Sequence, residues 1–219
     1  MRHAQVKPTW DLVARTIFSD EAITQHFIQD MLDLQIRTIT IWDSNKNSFT
    51  PEEERFSGYS TVVNVLAELD NGIQVIVSVK VAQQTLSIQN LWADVCMLFA
   101  DNPAKLHRAG GIINQPFYPV YTIVIVEQQH FDDDRPFRSF SLVNSQTEQK
   151  FMMRTAQHAQ NAVKLAFMEL AKYDRLKITD DDKRKWYEFF NNQEFSLQPD
   201  PIIQKAKTLL DMSKWTDQA

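Results

Sequence analysis

Apolar and polar positions alternate most regularly between Thr61 and Gln83, TVVNVLAELDNGIQVIVSVKVAQ. Val62 to Leu69 and Ile73 to Val81 are two runs rich in β-branched residues, and such runs predict strands. Asp70-Asn71-Gly72 separates them, and Asn-Gly is a strong hairpin signal because both residues tolerate positive φ. Side chains alternate across a strand. Val75, Val77, Val79 and Val81 therefore share one face with Val63, Val65, Ala67 and Leu69, and that face is apolar. Ile76, Ser78 and Lys80 share the other with Asn64, Leu66 and Glu68.

The same patterning divides the rest of the chain. Residues 11 to 34 predict one or two helices, with Ser19 as N-cap before Asp20 and Glu21, and Ile23, Phe27, Ile28, Met31 and Leu32 at helical spacing. Arg37 to Trp42 predicts a strand. Asp43 to Gly58 is polar and predicts an exposed loop, with a helical turn begun at Pro51. Leu86 to Ala100 predicts a crossover helix whose buried face is Ile88, Leu91, Trp92, Val95 and Phe99, ended by Asn102-Pro103. Val120 to Val126 is continuously apolar, as in a strand buried on both faces. Phe137 to Val143 alternates and predicts a last strand. Residues 155 to 173 predict a helix, Asp180-Asp181-Asp182 opens another, and Pro199 and Pro201 precede a final one over Ile202 to Leu210. The whole predicts a mixed α/β protein with three or four central strands, a helix before the sheet, a crossover helix behind it and helices at the C-terminal end.

Composition narrows the function classes. The chain has 219 residues, 43% of them hydrophobic and 11% aromatic, which suits a folded domain with a real core. A net charge of −5 gives no compositional support for nucleic-acid binding. The one cysteine, Cys96, excludes an internal disulfide and a cysteine metal site, suits a cytoplasmic protein, and reads as a small core residue. No leader-like segment opens the sequence and no run approaches a membrane span, so no membrane partner is expected. Asp132-Asp133-Asp134 reads as a solvated acidic run. Lys105, His107 and Arg108 before Gly110-Gly111 read as a solvated loop with some capacity for a polyanion.

The polar face of the hairpin holds the candidate chemistry. One reading of Asn64, Glu68, Ser78 and Lys80 is a partly wet sheet surface, with Lys80 reaching out along its stem. The other is a former metal site. Mg²⁺ is held by one or two carboxylates plus phosphate oxygens, and a lysine two residues further along the strand stabilises charge or orients water. Asn64 and Ser78 stand where the two carboxylates belong, and Lys80 alone has the required type.

This layout resembles the PD-(D/E)XK nuclease family transposases, relatives of the Rpn recombination-promoting nucleases. In that family an Asp on one strand precedes Glu-x-Gln or Glu-x-Lys across a short hairpin. Asn64 falls on the Asp, Ser78 on the Glu and Lys80 on the Gln or Lys. WDLVARTIFSDEAITQHFIQDMLDL at Trp10 to Leu34 is similar to the family's N-terminal helical segment, FYPVYTIVIVE at Phe117 to Glu127 to its later core strand, and FMELAKYD at Phe167 to Asp174 to its C-terminal helix signature.

The resemblance implies a restriction-endonuclease-like core ordered α-β-β-β-α-β over residues 1–150, with a C-terminal helical extension over 151–219 packed on it. It implies DNA cleavage linked to transposition or recombination for active members, with Mg²⁺ as cofactor. Loss of both acids implies that this chain needs no cofactor and is an inactive module that binds nucleic acid, DNA foremost, or protein. The alternative is an active Mg²⁺-dependent DNA endonuclease with relocated acids. Its candidates are Glu68, four residues after Asn64 on the same strand face, and Asp11 and Glu21 from the N-terminal helical segment. Gln83, with Gln84 and Gln89, stands near the start of the crossover helix, which reads as a solvated polar face, since amides are common at exposed positions, and which in a nuclease would face the phosphates.

Overall fold

The computed structural model describes residues 6–42, 59, 61–84, 86–100, 118–154 and 159–210. Two helices, α1 (Asp11–Phe18) and α2 (Glu21–Leu32), lead into strands β1 (Ile36–Trp42), β2 (Thr61–Leu69) and β3 (Gln74–Ala82). Helix α3 (Ile88–Ala100) and strand β4 (Val120–Val126) follow. Then come β5 (Phe137–Ser141), β6 (Met152–Arg154), β7 (Ala159–Asn161), β8 (Val163–Glu169), and helices α4 (Asp181–Phe190) and α5 (Pro201–Thr208). The protein is α/β, with a mixed six-stranded sheet in the order β1-β2-β3-β4-β8-β5. The β1, β2 and β3 neighbours are antiparallel, β3-β4 and β4-β8 are parallel, and β5 runs antiparallel to β8.

Both faces of the sheet are covered, unequally. The valine face of the hairpin packs with Ile17, Phe18, Phe27, Trp186 and Phe190 of α1, α2 and α4, and with Ile203 of α5, in the main core. Among the described residues, α3 alone among the helices packs on the opposite face, through Leu91 and Val95. The helices start where carboxylates satisfy their first N–H groups. Asp180 accepts from the Asp182 and Lys183 amides, and Asp200 from those of Ile202 and Ile203. Asp20, not Ser19, caps α2 by accepting from the Ile23 amide at 3.2 Å, while Ser19 ends α1 with its hydroxyl bonded to the Thr16 carbonyl. The carboxylate at 20 can also pair with Lys205, which a serine there could not.

The hairpin forms as the alternation requires, with a small change at the turn. The Gly72 amide donates to the Leu69 carbonyl, and Gly72 alone in this turn has positive φ, +77°. That is a type I turn followed by a left-handed glycine, a combination suited to a three-residue loop.

The helix expected over 155–173 does not form. Within that range the described chain is β7, β8 and a 3₁₀ turn at Leu170–Lys172. The Phe167 to Asp174 segment, expected as a helix signature, is the end of β8 and that turn. The alanines, leucine and methionine there suit a helix locally, but β8 is hydrogen-bonded between β4 and β5, and two ladders outweigh a propensity difference of tenths of a kcal/mol per residue. Consequently β5 is not the last strand, and residues after 150 contribute an inner strand as well as α4 and α5. The expected turn at Pro51, the helix end at Asn102-Pro103 and the basic loop Lys105–Gly111 fall outside the described residues. No helix among those described is long and apolar enough to cross a membrane.

Candidate functional site

The β2–β3 register pairs Asn64 with Ser78 and Val62 with Lys80, which puts Asn64, Ser78 and Lys80 on one face, under α3. Parallel pairing of β3 with β4 adds Thr122 opposite Ser78. The result is a short polar row across the sheet, Asn64–Ser78–Thr122, with Lys80 one step along β3.

This face is not the wet surface that its polarity suggests. Asn64, Ser78, Thr122 and Lys80 are all buried, and Lys80 is 4% exposed. Its ammonium donates to Asp94 of α3 at 2.8 Å and lies 4.4 Å from the centre of the Tyr59 ring. The Ser78 and Thr122 hydroxyls have no hydrogen-bond partner among the described residues. Burial is the largest influence on Lys80 and holds its pKa below the ordinary lysine value, although Asp94 works in the opposite direction. Burial, with the Asp94 charge nearby, pushes the Tyr59 hydroxyl up.

Asp94 is the residue the sequence reading missed, and it also explains an error in the helix face. Leu91 and Val95 point inward as expected, but Ile88 and Trp92 are exposed at 44% and 41%. The inward positions are 91, 94 and 95, with Leu98 and Phe99 partly buried. At 3.6 residues per turn this is a roll of roughly 50–60° from the expected face. Lys80 draws Asp94 toward the sheet and fixes the roll. Cys96, expected in the core, is exposed for the same reason. A signal was available: Asp94 is the single charged residue between Val81 and Ala100, and it sits three residues after a core leucine. A lone charge at i+3 on an apolar helix face commonly has a buried partner.

The accessory acids are not brought to this row. Glu68 is on the same sheet face but pairs with Arg37 at 3.1 Å beside the hairpin turn. Asp11 accepts from Arg15 and from the Thr61 hydroxyl, each at 2.8 Å. Thr61 alternates with Val62, so Asp11 lies on the α1 side of the sheet, away from Asn64. Glu21 is exposed at the start of α2, and Gln83 is exposed just past β3. Asp133 pairs with Arg138 and Asp134 with Lys177, as surface acids.

Mg²⁺ does not fit this donor set. A hard divalent cation calls for negatively charged oxygens. The face offers an amide, two hydroxyls and one carboxylate, and that carboxylate is already bonded to a buried ammonium. No group of three His, Cys, Asp or Glu among the described residues is arranged to hold a metal. The chemistry available is that of a neutral polar face with one internally compensated ion pair.

The buried titrating groups give an alkaline signature. Tyr59, Tyr121 and Tyr187 all have pKa values raised, chiefly by burial. A folded pKa above the unfolded value means that their contribution is intact below about pH 10 and is lost as pH rises further. Lys80 has the opposite sign: the cost of burying its charge is present below its lowered pKa and is relieved as pH climbs toward about 10.4. The wild-type melting temperature should therefore fall steeply above about pH 10, and should fall less steeply in Tyr59→Phe, which keeps every other titrating group. Equal slopes in the wild type and Tyr59→Phe between pH 10 and 12 would show that Tyr59 ionises normally.

No family model, curated protein or solved structure matches the chain.

Proposed function

We propose that the chain is a restriction-endonuclease-like scaffold, related to the PD-(D/E)XK transposase nucleases, that acts by binding and not by cutting. Three features support the scaffold reading: the helix–three strands–helix–strand order up to β4, the side-by-side sheet order β1-β2-β3-β4, and the motif triplet on one face of its central hairpin. The observation that carries the inactive reading is the pairing of Lys80. In a metal-dependent nuclease a lysine here serves the water or the developing charge. Lys80 is instead buried and bonded to Asp94, beside an amide and a hydroxyl where carboxylates belong. A net charge of −5 favours a protein partner over DNA.

Calorimetric titration of Mg²⁺ and Mn²⁺ into the purified wild type, run beside a plasmid-cleavage assay, tests the reading. Neither binding nor cleavage is expected. Asn64→Asp with Ser78→Glu should create divalent-cation binding, and Asn64→Asp alone, which leaves the fully buried Ser78 in place, is the milder version should the double variant fold poorly. Cleavage by the wild type that disappears in Lys80→Ala would show an active nuclease. Metal binding by the wild type that is lost in Glu68→Gln, Asp11→Asn or Glu21→Gln would show relocated ligands.

A further inference from the structure

The loop that joins β4 to β5, residues 127–136, is pinned to the sheet near its middle. The Glu169 carboxylate, at the end of β8, accepts from the His130 and Phe131 amides at 2.6 and 3.0 Å. The His130 ring lies flat on that of Phe167, with centroids 5.5 Å apart and planes 6° from parallel. Phe131 stands edge-on to both rings, at 4.6 and 5.1 Å. Nδ1 of His130 is buried and has no hydrogen-bond partner among the described residues. Two cations flank the same carboxylate. The Lys172 ammonium bonds to it and also donates to the Phe131 carbonyl at 2.6 Å. The Arg138 guanidinium lies 3.5 Å from it and 3.9 Å from the centre of the Phe131 ring.

We propose that His130 is a proton-operated latch: its neutral ring seats the loop on β8, and its protonated ring leaves Phe167 and frees the loop. The charges around the ring are the reason. In the neutral imidazole the proton sits on Nε2 and the buried Nδ1 carries only a lone pair. Protonation turns Nδ1 into a buried N–H without an acceptor and sets a third cation beside Lys172 and Arg138. Glu169 draws the charged ring the other way, but its two oxygens already serve two amides and Lys172. Other charged groups around the loop are committed elsewhere. Asp133 pairs with Arg138, Asp134 with Lys177 and Glu127 with Lys7. Asp94 of α3, whose Leu91 shares the Phe167 cluster, pairs with Lys80. Asp132 and Arg135 are exposed, and the Tyr187 hydroxyl of α4 donates to the Pro136 carbonyl. Burial is the largest influence on His130 and, with Arg138 and Lys172, holds its pKa below the ordinary histidine value against the pull of Glu169. A folded pKa below the unfolded one means that the seating is at full strength above about pH 6.5 and is lost as pH falls through the folded value.

Hydrogen exchange of the full chain between about pH 5 and 7.5, corrected for the intrinsic pH dependence of amide exchange, tests the latch. Carboxylates ordinarily titrate near about pH 4, so this window belongs to histidine. The Phe131 amide should open roughly threefold or more as often at the acid end as at the neutral end, while the β3–β4 ladder keeps its protection. His130→Phe keeps a ring on Phe167 without the charge and should remove that pH dependence, which separates His130 from the four other histidines. In the wild type the His130 ring, followed by NMR, should titrate below about pH 6.5. Equal opening of the loop across the window overturns the latch. So does an unchanged pH dependence in His130→Phe, or a His130 titration at or above about pH 6.5.

Discussion

Asp94→Ala should destabilise the protein by about 3 kcal/mol, because it leaves the buried Lys80 ammonium without its carboxylate. Losses of about 3–5 kcal/mol are usual when one partner of a buried pair is removed, and Asp94, partly exposed at 17%, belongs at the lower end. Lys80→Met should cost less, since the partly exposed Asp94 carboxylate can recover some water. The pair itself is a different matter. Lys80→Met with Asp94→Leu replaces two desolvated charges by apolar groups of similar size and should come close to wild-type stability or exceed it. Urea unfolding of the four proteins closes the double-mutant cycle. A loss below about 1 kcal/mol in Asp94→Ala would mean that Lys80 reaches water freely, and the roll of α3 would then need another cause.

Glu169→Ala should cost at least as much, about 3–5 kcal/mol, and should loosen one loop selectively. Glu169 ends β8 with its side chain fully buried. Its carboxylate accepts from the His130 and Phe131 amides at 2.6 and 3.0 Å, pairs with Lys172 at 2.9 Å, and lies 3.5 Å from Arg138. Removing it strands two amides and two cations, for which Asp133 is the remaining acid. Glu169→Gln keeps an acceptor for the amides and should lose less than the alanine variant. Hydrogen exchange should show the His130 and Phe131 amides opening well before the β3–β4 ladder in Glu169→Ala. Uniform loss of protection across the sheet would show instead that the carboxylate supports the whole fold and not the loop after β4.

The sequence by itself determined the hairpin, its faces and its register, because a period of two leaves one way to bury Val75, Val77, Val79 and Val81 together. It also determined β1, β4 and the α1–α2 and α4–α5 helices to within a few residues, since their apolar spacing and caps are local signals. Tertiary structure decided β8. Residues 163–169 carry an apolar run that suits a helix or an inner strand, and only the place between β4 and β5 separates the two. It decided the candidate site as well. Alternation placed Asn64, Ser78 and Lys80 on one face, but whether that face was wet or dry depended on which helix lay over it and how that helix was rolled. The partner that fixed the roll, Asp94, lies fourteen residues from Lys80 on another element. A contact between two charges so placed leaves no periodic trace along the chain. It exists because desolvating Lys80 is tolerable only with a carboxylate beside it.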